Sequence, residues 1–261
     1  IESHEDKSNL LTAEDLKNYK VIWRNPLCVD YRGYNICGMP PPGGSLIVMM
    51  ILKMLENFDV KSYKPTSPEF IHLYSEISAL SYSDRNFYLG NAISMTSTIE
   101  GPFGSHLMAG GFMLNNELTD FSFLPEYDGL QVANRVEAGK RPLSSMSPTM
   151  IFDKNGNIHS LTGSPGGTSI IGYVAKSIIG LIDWEMSPQE AINVPHYMRK
   201  KEQTELEKDT ELEKIKEILI NKGHEVSIKR KRSGLHVAKK VDGGYIGGAD
   251  IRGEGTIIQI D

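Results

Sequence analysis

Apolar residues recur at helical spacing in the first third of the chain. After Ser67 and Pro68 they occupy every third or fourth position, at Phe70, Leu73, Tyr74, Ile77 and Leu80. This spacing places the apolar side chains on one face and predicts a helix that buries this face. Ser67 as the N-cap and Pro68 as the first helical residue mark the start of the helix. Shorter helices are predicted over residues 11–18 and 46–57.

After Gly90 the pattern changes to short apolar runs and to alternation, which predict strands. The predicted strands are residues 91–99, 110–115, 226–228, 235–239 and 244–247, together with a hairpin of residues 149–152 and 158–162. Further helices are predicted over residues 168–180, after Ser187, and from Thr210 to Gly223. Because helices both precede and follow the strands, we expect an α+β fold or a layered αββα arrangement, and not a repeat.

The composition excludes several classes of protein. A chain of 261 residues with 39% hydrophobic residues has enough apolar material for one substantial core. Its net charge of −5 gives no general attraction to nucleic acid. The longest apolar run, residues 46–52, is far shorter than the about 20 residues of a membrane-spanning helix. Two charge-dense stretches, residues 200–213 and 229–232, are interpreted as a solvated helix end and a solvated strand.

The two cysteines lie on a predicted hairpin. Arg32-Gly33 is typical of a two-residue turn between Leu27–Tyr31 and Tyr34–Gly38. The resulting register pairs Cys28 with Cys37 as a non-hydrogen-bonded cross-strand pair, which is close enough for a disulfide. Two reduced cysteines that pack as small apolar side chains are the alternative. A disulfide would favour an oxidising compartment.

Three loop segments carry groups suited to an amino-acid-like ligand. The sequence Gly-Ser-Pro-Gly-Gly at residues 163–167 precedes a predicted helix, where backbone N–H groups favour anions. Ser144 and Ser145 offer hydroxyl groups to a carboxylate. Glu117 and Asp120 are close enough in sequence to face one amine. The alternatives are a plain tight turn, serines that cap turns, and exposed loop acids.

Metal binding is not expected from the sequence. The seven histidines show neither HxxxH nor HxxE spacing, and the two cysteines lack the spacing of metal ligands. The glycine-rich turn is not followed by the Lys-Ser or Lys-Thr pair of a phosphate-binding P-loop, and no GxSxG motif is present.

Several motifs, taken in order along the chain, closely resemble the gamma-glutamyltransferase (gamma-glutamyltranspeptidase) family. The longest are Glu-Ala-Gly-Lys-Arg-Pro-Leu-Ser-Ser-Met-Ser-Pro-Thr at residues 137–149, Ser-Pro-Gly-Gly at 164–167, and Leu-Asn-Asn-Glu-Leu-Thr-Asp-Phe-Ser at 114–122. Further matches are residues 30–34, 39–42, 83–85 and 248–252. The resemblance covers nearly the whole chain from about Leu10.

This resemblance implies an N-terminal-nucleophile hydrolase fold, with two β-sheets between helical layers, here incomplete. In this family a precursor cuts itself, and the new N-terminal threonine attacks a γ-glutamyl amide with its own α-amine as the base. The acyl group then passes to water, an amino acid or a peptide, as in the breakdown of glutathione. Neither a metal nor an organic cofactor is implied.

The resemblance also implies residue roles. Thr98 matches the threonine that steadies the nucleophile by hydrogen bonding. Ser144 and Ser145 match the residues that bind the substrate α-carboxylate, and the N–H groups of Gly166 and Gly167 match the oxyanion hole.

Three acids match the positions that hold the substrate α-amine, namely Glu100, Glu117 and Asp120. Many family members have asparagine at the first of these positions. The glutamate at position 100 therefore predicts that this chain belongs to a subgroup of the family with an altered substrate preference.

The chain departs from the family between Gly90 and Asn91. The family has several tens of residues there, including the nucleophilic threonine, and no residue of this chain matches that threonine. The family arginine that binds the substrate carboxylate belongs to a region that is also missing. Residues 1–90 are therefore interpreted as the C-terminal part of the large-subunit region. Residues 91–261 are interpreted as the small-subunit region without its nucleophile segment, and the two parts as one domain.

We therefore expect a truncated, internally deleted family member with impaired catalysis. It is expected to keep pocket elements for γ-glutamyl compounds such as glutathione. The alternatives are a piece of an active split enzyme, completed by a separate chain, and a non-catalytic binder of γ-glutamyl compounds or amino acids.

Two further expectations follow from the missing segments. Some apolar faces should be partly uncovered, with the candidates Ile47, Met50, Ile51, Ile170, Val174 and Ile178. Residues 1–9 show no apolar core of a signal peptide, and the sequence does not define the cellular compartment. Members of the family are often periplasmic or extracellular.

Overall fold

Helices and short strands alternate along the part of the chain that the computed structural model describes, which is residues 13–84, 96–200 and 202–257. The helices are α1 (Ala13–Asn18), α2 (Ser45–Leu55), α3 (Pro68–Asp84), α4 (Ile170–Ile182), α5 (Pro188–Asn193) and α6 (Lys216–Asn221). The strands are β1 (Leu27–Tyr31), β2 (Tyr34–Gly38), β3 (Met108–Ala109), β4 (Phe112–Met113), β5 (Glu126–Tyr127), β6 (Leu130–Gln131), β7 (Thr149–Phe152), β8 (Ile158–Gly163), β9 (Tyr197–Arg199), β10 (Gln203–Glu207), β11 (Glu225–Lys229), β12 (His236–Val241) and β13 (Gly244–Ala249). Short 3-10 helices lie at Val60–Ser62, Glu117–Asp120, Gly167–Ser169 and Glu211–Ile215.

A six-stranded antiparallel sheet forms the centre of the fold, in the order β1-β2-β7-β8-β12-β13. The predicted hairpin of β1 and β2 is confirmed, with the predicted register. Arg32 and Gly33 have φ of 55° and 81°, as a two-residue hairpin turn of this type requires. β2 then pairs with β7 and places Ile36 beside Ile151. Strands from before and after residue 90 therefore share one sheet.

One face of this sheet is covered by α2 and α4. Side chains of the sheet such as Tyr31, Ile36 and Ile151 are completely buried there. The expectation of uncovered apolar helix faces was wrong for five of the six candidates, since the two helices pack against each other. The exposed fractions are 5% or less for Ile47, Ile51, Ile170, Val174 and Ile178. Met50 is half-buried.

The two cysteines lie on the opposite face of the sheet. The pairing places Cys28 beside Cys37, and Cys37 beside the half-buried Met150. Of the two alternatives, the structure contains the disulfide between Cys28 and Cys37, with Cα atoms 4.2 Å apart. This cross-link ties β1 to β2 near the open end of their hairpin.

A second sheet has three strands, in the order β11-β10-β9. β10 runs antiparallel to β9 and parallel to β11. The interpretation of residues 200–213 as a solvated helix end was wrong, because β10 lies there and buries Thr204 and Leu206. The basic run at residues 229–232 is also only partly solvated. The side chain of Lys231 is 4% exposed and pairs with Glu205.

Other predicted elements differ in extent. Residues 96–99 of the strand predicted over residues 91–99 form no strand, and residues 91–95 lie outside the described residues. The strand predicted over residues 110–115 shortens to β4. The helix predicted after Thr210 begins as a 3-10 helix, in which the Thr210 hydroxyl accepts from the Leu212 N–H. In the part of the chain that the structure describes, every helix is too short or too polar to cross a membrane.

Candidate functional site

A cleft of about 420 Å³ lies between four loop segments. All eight residues singled out from the sequence line it, namely Thr98, Glu100, Glu117, Asp120, Ser144, Ser145, Gly166 and Gly167. Thr96, Ser97 and Thr168 complete much of the lining. The fold therefore brings together motifs that are far apart in sequence, while the chemical role of each residue stays a prediction.

The glycine turn before α4 forms one wall of the cleft. Gly166 and Gly167 have φ of 133° and 57°, in the region that favours glycine. A Cβ atom on Gly166 would lie 2.7 Å from Cε2 of Tyr173. Both glycines are exposed, and neither backbone N–H meets an acceptor within the described residues. These two donors are therefore available to an oxygen atom that carries negative charge.

The acids form the opposite electrostatic pole of the cleft. Glu117 and Asp120 occupy the two ends of one 3-10 turn. Glu100 has a φ of 69°, and its carboxylate accepts a hydrogen bond from the side-chain amide of Asn116. The Thr98 hydroxyl accepts from the backbone N–H of Glu100 at 2.8 Å, so Thr98 holds the backbone that presents this carboxylate.

The pKa of Glu117 reports the environment that the acids create. Partial burial raises this pKa, and the negative charges of Asp120 and Glu100 raise it further. An ammonium group placed among the three carboxylates would relieve their repulsion and favour their ionised forms. The acidic end of the cleft is therefore suited to a cationic group.

The serine loop, residues 143–147, is attached by backbone hydrogen bonds to residues 42–44. The backbone N–H of Ser144 donates to the carbonyl of Pro42 at 2.9 Å, and that of Gly44 donates to the carbonyl of Met146 at 2.9 Å. The Ser144 hydroxyl accepts from the backbone N–H of Met146 at 3.2 Å. Gly44 has no room for a side chain, because a Cβ atom there would lie 2.5 Å from the Ser147 hydroxyl.

Asn134 connects the acidic wall to the serine wall and was missed by the sequence analysis. Its Nδ2 donates to the carbonyl of Asp120 at 2.7 Å. Its Oδ1 accepts from the N–H of Leu143 at 2.9 Å. One asparagine in a long irregular segment gives no periodic signal. The only cue is its position between the two motifs that it joins.

A buried row of polar side chains lies beneath the glycine turn and was also missed. Asp250 accepts from the Ser233 hydroxyl at 2.5 Å. The same hydroxyl contacts His196 Nε2 at 2.7 Å, and His196 Nδ1 contacts Lys176 Nζ at 2.7 Å. An ionised carboxylate only accepts, so Ser233 donates to it, His196 Nε2 donates to Ser233, and Lys176 donates to His196 Nδ1. The ring of Tyr173, which limits space at Gly166, packs against the ring of His196 at a tilt of 36°, with centroids 4.1 Å apart.

The pKa values agree with this direction of donation. Burial lowers the pKa of His196 well below its usual range, and the positive charges of Lys176 and Arg252 lower it further. Burial alone would raise the pKa of Asp250, but the Ser233 hydrogen bond and the Arg252 charge lower it overall. A neutral histidine and an ionised aspartate are the states that the row requires.

One histidine cluster lies apart from the residues of the cleft. His72 and Glu76 on α3 lie beside His224, with potential ligand atoms within 4.8 Å of one another. The sequence analysis expected no metal and did not consider this HxxxE spacing. His72 Nδ1 and His224 Nε2 hydrogen bond to each other at 2.6 Å, and Glu76 pairs with Arg199. The cluster thus links α3 to the three-stranded sheet through its own hydrogen bonds.

Solved structures share this fold. Cephalosporin acylase from Bacillus halodurans superposes with a TM-score of 0.83 over 96% of this chain and 56% of that chain, at 20% identity. A gamma-glutamyltranspeptidase mutant of Helicobacter pylori matches 63% of this chain and 95% of that chain, at 35% identity and a TM-score of 0.55. The chain therefore has the α+β fold of N-terminal-nucleophile hydrolases and covers part of it.

Sequence comparison defines the family. The sequence model described as gamma-glutamyltranspeptidase matches residues 1–90 and 88–260. The glutathione hydrolase proenzyme of Escherichia coli (strain K12) is 32% identical over 84% of this chain and 50% of its own length. The acylase ACY 1 proenzyme of Pseudomonas sp. (strain SE83) is 28% identical over 96% of this chain and 54% of its own length. The chain belongs to the gamma-glutamyltranspeptidase family and spans about half the length of the curated relatives that it matches.

The matches also show where this chain differs from its relatives. The family match is divided into two parts that meet at residues 88–90. The alignment with the Escherichia coli protein has 289 positions, but it includes only 84% of the 261 residues of this chain. That relative therefore contains residues, inside the matched region, that have no counterpart in this chain.

Proposed function

We propose that this chain binds γ-glutamyl compounds such as glutathione in the 420 Å³ cleft and that it is impaired in γ-glutamyl transfer. The observation that carries the binding proposal is the convergence of all eight predicted residues on one cleft. Its two chemically different poles, carboxylates and backbone N–H groups, match the charged ends and the amide of such a ligand.

Each group has a role in the proposed complex. Glu100, Glu117 and Asp120 bind the α-ammonium group of the glutamyl moiety. Ser144 and Ser145 donate their hydroxyl hydrogens to the α-carboxylate. The N–H groups of the glycine turn face the γ-carbonyl oxygen, and Thr98 acts on the backbone that carries Glu100. No metal or organic cofactor takes part in this proposal.

The proposed impairment concerns the nucleophile. Acyl transfer by an N-terminal threonine needs a hydroxyl and a free α-amine on the same residue. The hydroxyl residues nearest to the expected position, Thr96, Ser97 and Thr98, are internal, so their amines are in peptide bonds. The break in the family match at residues 88–90 supports the absence of the nucleophile segment.

The test combines binding and turnover on the purified 261-residue chain. Calorimetry with glutathione and with glutamate should show saturable heat, and an Asp120→Asn variant should weaken it. Incubation with γ-glutamyl-p-nitroanilide should release no more nitroaniline than a Thr98→Ala variant does. Absence of binding heat for both ligands would refute the binding function, and release above the control would refute the impairment.

A second candidate is that the chain is one piece of an active split enzyme. The observation that favours it is the coverage, since the chain matches about half of relatives such as the Escherichia coli glutathione hydrolase proenzyme. A separately encoded chain would then supply the nucleophile. Affinity purification from the native cell with mass spectrometry tests this candidate. A stoichiometric partner that restores nitroaniline release would support it, whereas purification of an inactive chain alone would exclude it.

A further inference from the structure

Charge at the cleft is unevenly distributed. The three carboxylates of Glu100, Glu117 and Asp120 line the cleft at one pole. At the other pole, Thr168 directly follows the glycine pair and also lines the cleft. Lys200 Nζ donates to the Thr168 hydroxyl and to the Ser169 hydroxyl, both at 3.1 Å. A positive charge is therefore held against the rim, one residue beyond the N–H pair.

Lys200 belongs to a cluster in which cations outnumber the carboxylate that they share. Glu205 lies 3.8 Å from Lys200 Nζ, 2.6 Å from Lys229 Nζ and 2.5 Å from Lys231 Nζ. Burial alone would raise the pKa of Glu205, but hydrogen bonds from Lys229 and Lys231 and the nearby positive charges lower it to about 2. Three lysine side chains thus share the carboxylate of Glu205, and Lys200 makes the longest of the three contacts.

We propose that Lys200, together with Thr168, forms an anion subsite at the rim of the cleft. This subsite would take the carboxylate at the far end of a γ-glutamyl peptide. The inference rests on the proposed function and narrows it to one class of ligand, the γ-glutamyl peptides with a free C-terminal carboxylate. Simple γ-glutamyl amides and amines lack this group.

The order of groups along the turn supports this assignment. The glycine N–H groups fix where the γ-carbonyl oxygen lies, so the amide nitrogen and everything attached to it extend beyond that point. Thr168 and its partner Lys200 are the next groups along the same wall. Lys200 is 23% exposed and can therefore exchange part of its hydration for a ligand carboxylate. A surface ion pair of this kind is worth about 0.2–1 kcal/mol, so the expected effect is a few-fold in affinity.

The test compares glutathione with its C-terminal amide by calorimetry at low salt. The wild-type chain should bind the acid about 3-fold more tightly than the amide. Lys200→Gln should remove this preference by weakening the acid and not the amide. Lys229→Gln removes the same charge from the same cluster without contacting Thr168, and it should keep the preference. Circular dichroism of each variant checks that the fold is retained.

The outcomes separate this inference from the proposed function. Equal binding of acid and amide to the wild-type chain would overturn the subsite and leave the proposed function standing. A preference that survives in Lys200→Gln, or that disappears equally in Lys229→Gln, would also overturn it. Failure of both ligands to bind would refute the proposed function and, because the subsite depends on that function, the subsite as well.

Discussion

The backbone N–H of Ser144 donates to the carbonyl oxygen of Pro42 at 2.9 Å. This bond fixes the serine wall of the cleft to residues 40–44, a proline-rich elbow that precedes α2. The cleft therefore depends on contacts between the parts of the chain before and after residue 90, just as the central sheet does. Substitutions in the elbow should consequently affect ligand binding without touching the ligand.

Gly44→Ala tests this dependence. A Cβ atom at Gly44 would lie 2.5 Å from the Ser147 hydroxyl and 2.6 Å from the Ser145 carbonyl, so the serine loop must move. We expect a loss of about 1–3 kcal/mol in the free energy of unfolding and weaker binding of glutathione. Urea unfolding and calorimetry measure the two effects.

The neighbouring Gly43→Ala variant is the matched control. A Cβ atom at Gly43 would lie 2.8 Å from Cγ and 2.9 Å from Cβ of Met39, so this variant also disturbs the elbow, but at a side chain outside the serine loop. It should lose stability as well and yet keep its affinity for glutathione. Equal loss of affinity in both variants would contradict the proposed link between the elbow and the serine wall.

Gly166→Ala should impair ligand binding more than its backbone strain alone predicts. Gly166 and Gly156 both have positive φ, of 133° and 80°, so alanine strains the backbone at either position, by about 1 kcal/mol at Gly156 and by more at Gly166, whose φ lies outside the left-handed helical region. Only Gly166 also meets Tyr173, whereas a Cβ atom at Gly156 meets nothing within 4 Å. Calorimetry should show about a tenfold loss of affinity for Gly166→Ala. Unchanged affinity, with Gly156→Ala as the reference, would exclude the N–H pair from the site.

Binding of the ligand ammonium group should weaken as the pH falls. Burial and the charges of Asp120 and Glu100 raise the pKa of Glu117, so Glu117 takes up a proton at a higher pH than an ordinary glutamate. The protonated carboxyl no longer attracts a cation. The affinity for glutathione should therefore start to fall above the usual glutamate range of about pH 4.3. Titrations from pH 7 to pH 4.5 should show a smaller fall for Glu117→Gln, and identical profiles would contradict this account.

The buried histidine should make the fold sensitive to acid. The folded-state pKa of His196 is lowered, so below about pH 6.5 the unfolded chain binds a proton that the folded chain resists. Stability is then lost as the pH falls, by about 1 kcal/mol from this residue between pH 7.5 and pH 5.5. Urea unfolding at both pH values measures the loss. His196→Gln should show a smaller pH dependence, and an unchanged dependence would place the acid sensitivity elsewhere.

The sequence predicts those parts of the fold that local chemistry determines. The turn residues Arg32 and Gly33 set the hairpin register, and Ser67 and Pro68 set the start of α3, where the Ser67 hydroxyl accepts from the Phe70 N–H. Six of the eight cleft residues could be selected because they belong to short motifs with distinctive residue types, whereas Thr98 and Glu100 were selected from the family resemblance alone. Their convergence on one cleft is a property of the fold.

Other parts of the site depend on tertiary pairing and could not be predicted. Charged residues such as Glu205 and Lys231 suggested a solvated surface. In the structure Glu205 lies in β10, Lys231 follows β11, and the two side chains form an ion pair. Lys176, on the mostly apolar α4, is buried because His196 and the backbone carbonyls of Val194 and Pro195 accept its hydrogen bonds. No spacing rule relates residues whose contact arises only when two elements pack.

Mass spectrometry of the 261-residue chain with glutathione, under native and then denaturing conditions, is the most direct test of the central claim. The account predicts a one-to-one complex under native conditions that dissociates completely on denaturation and leaves the unmodified mass of the chain. A γ-glutamyl adduct that persists after denaturation, or the lack of any complex, would contradict it.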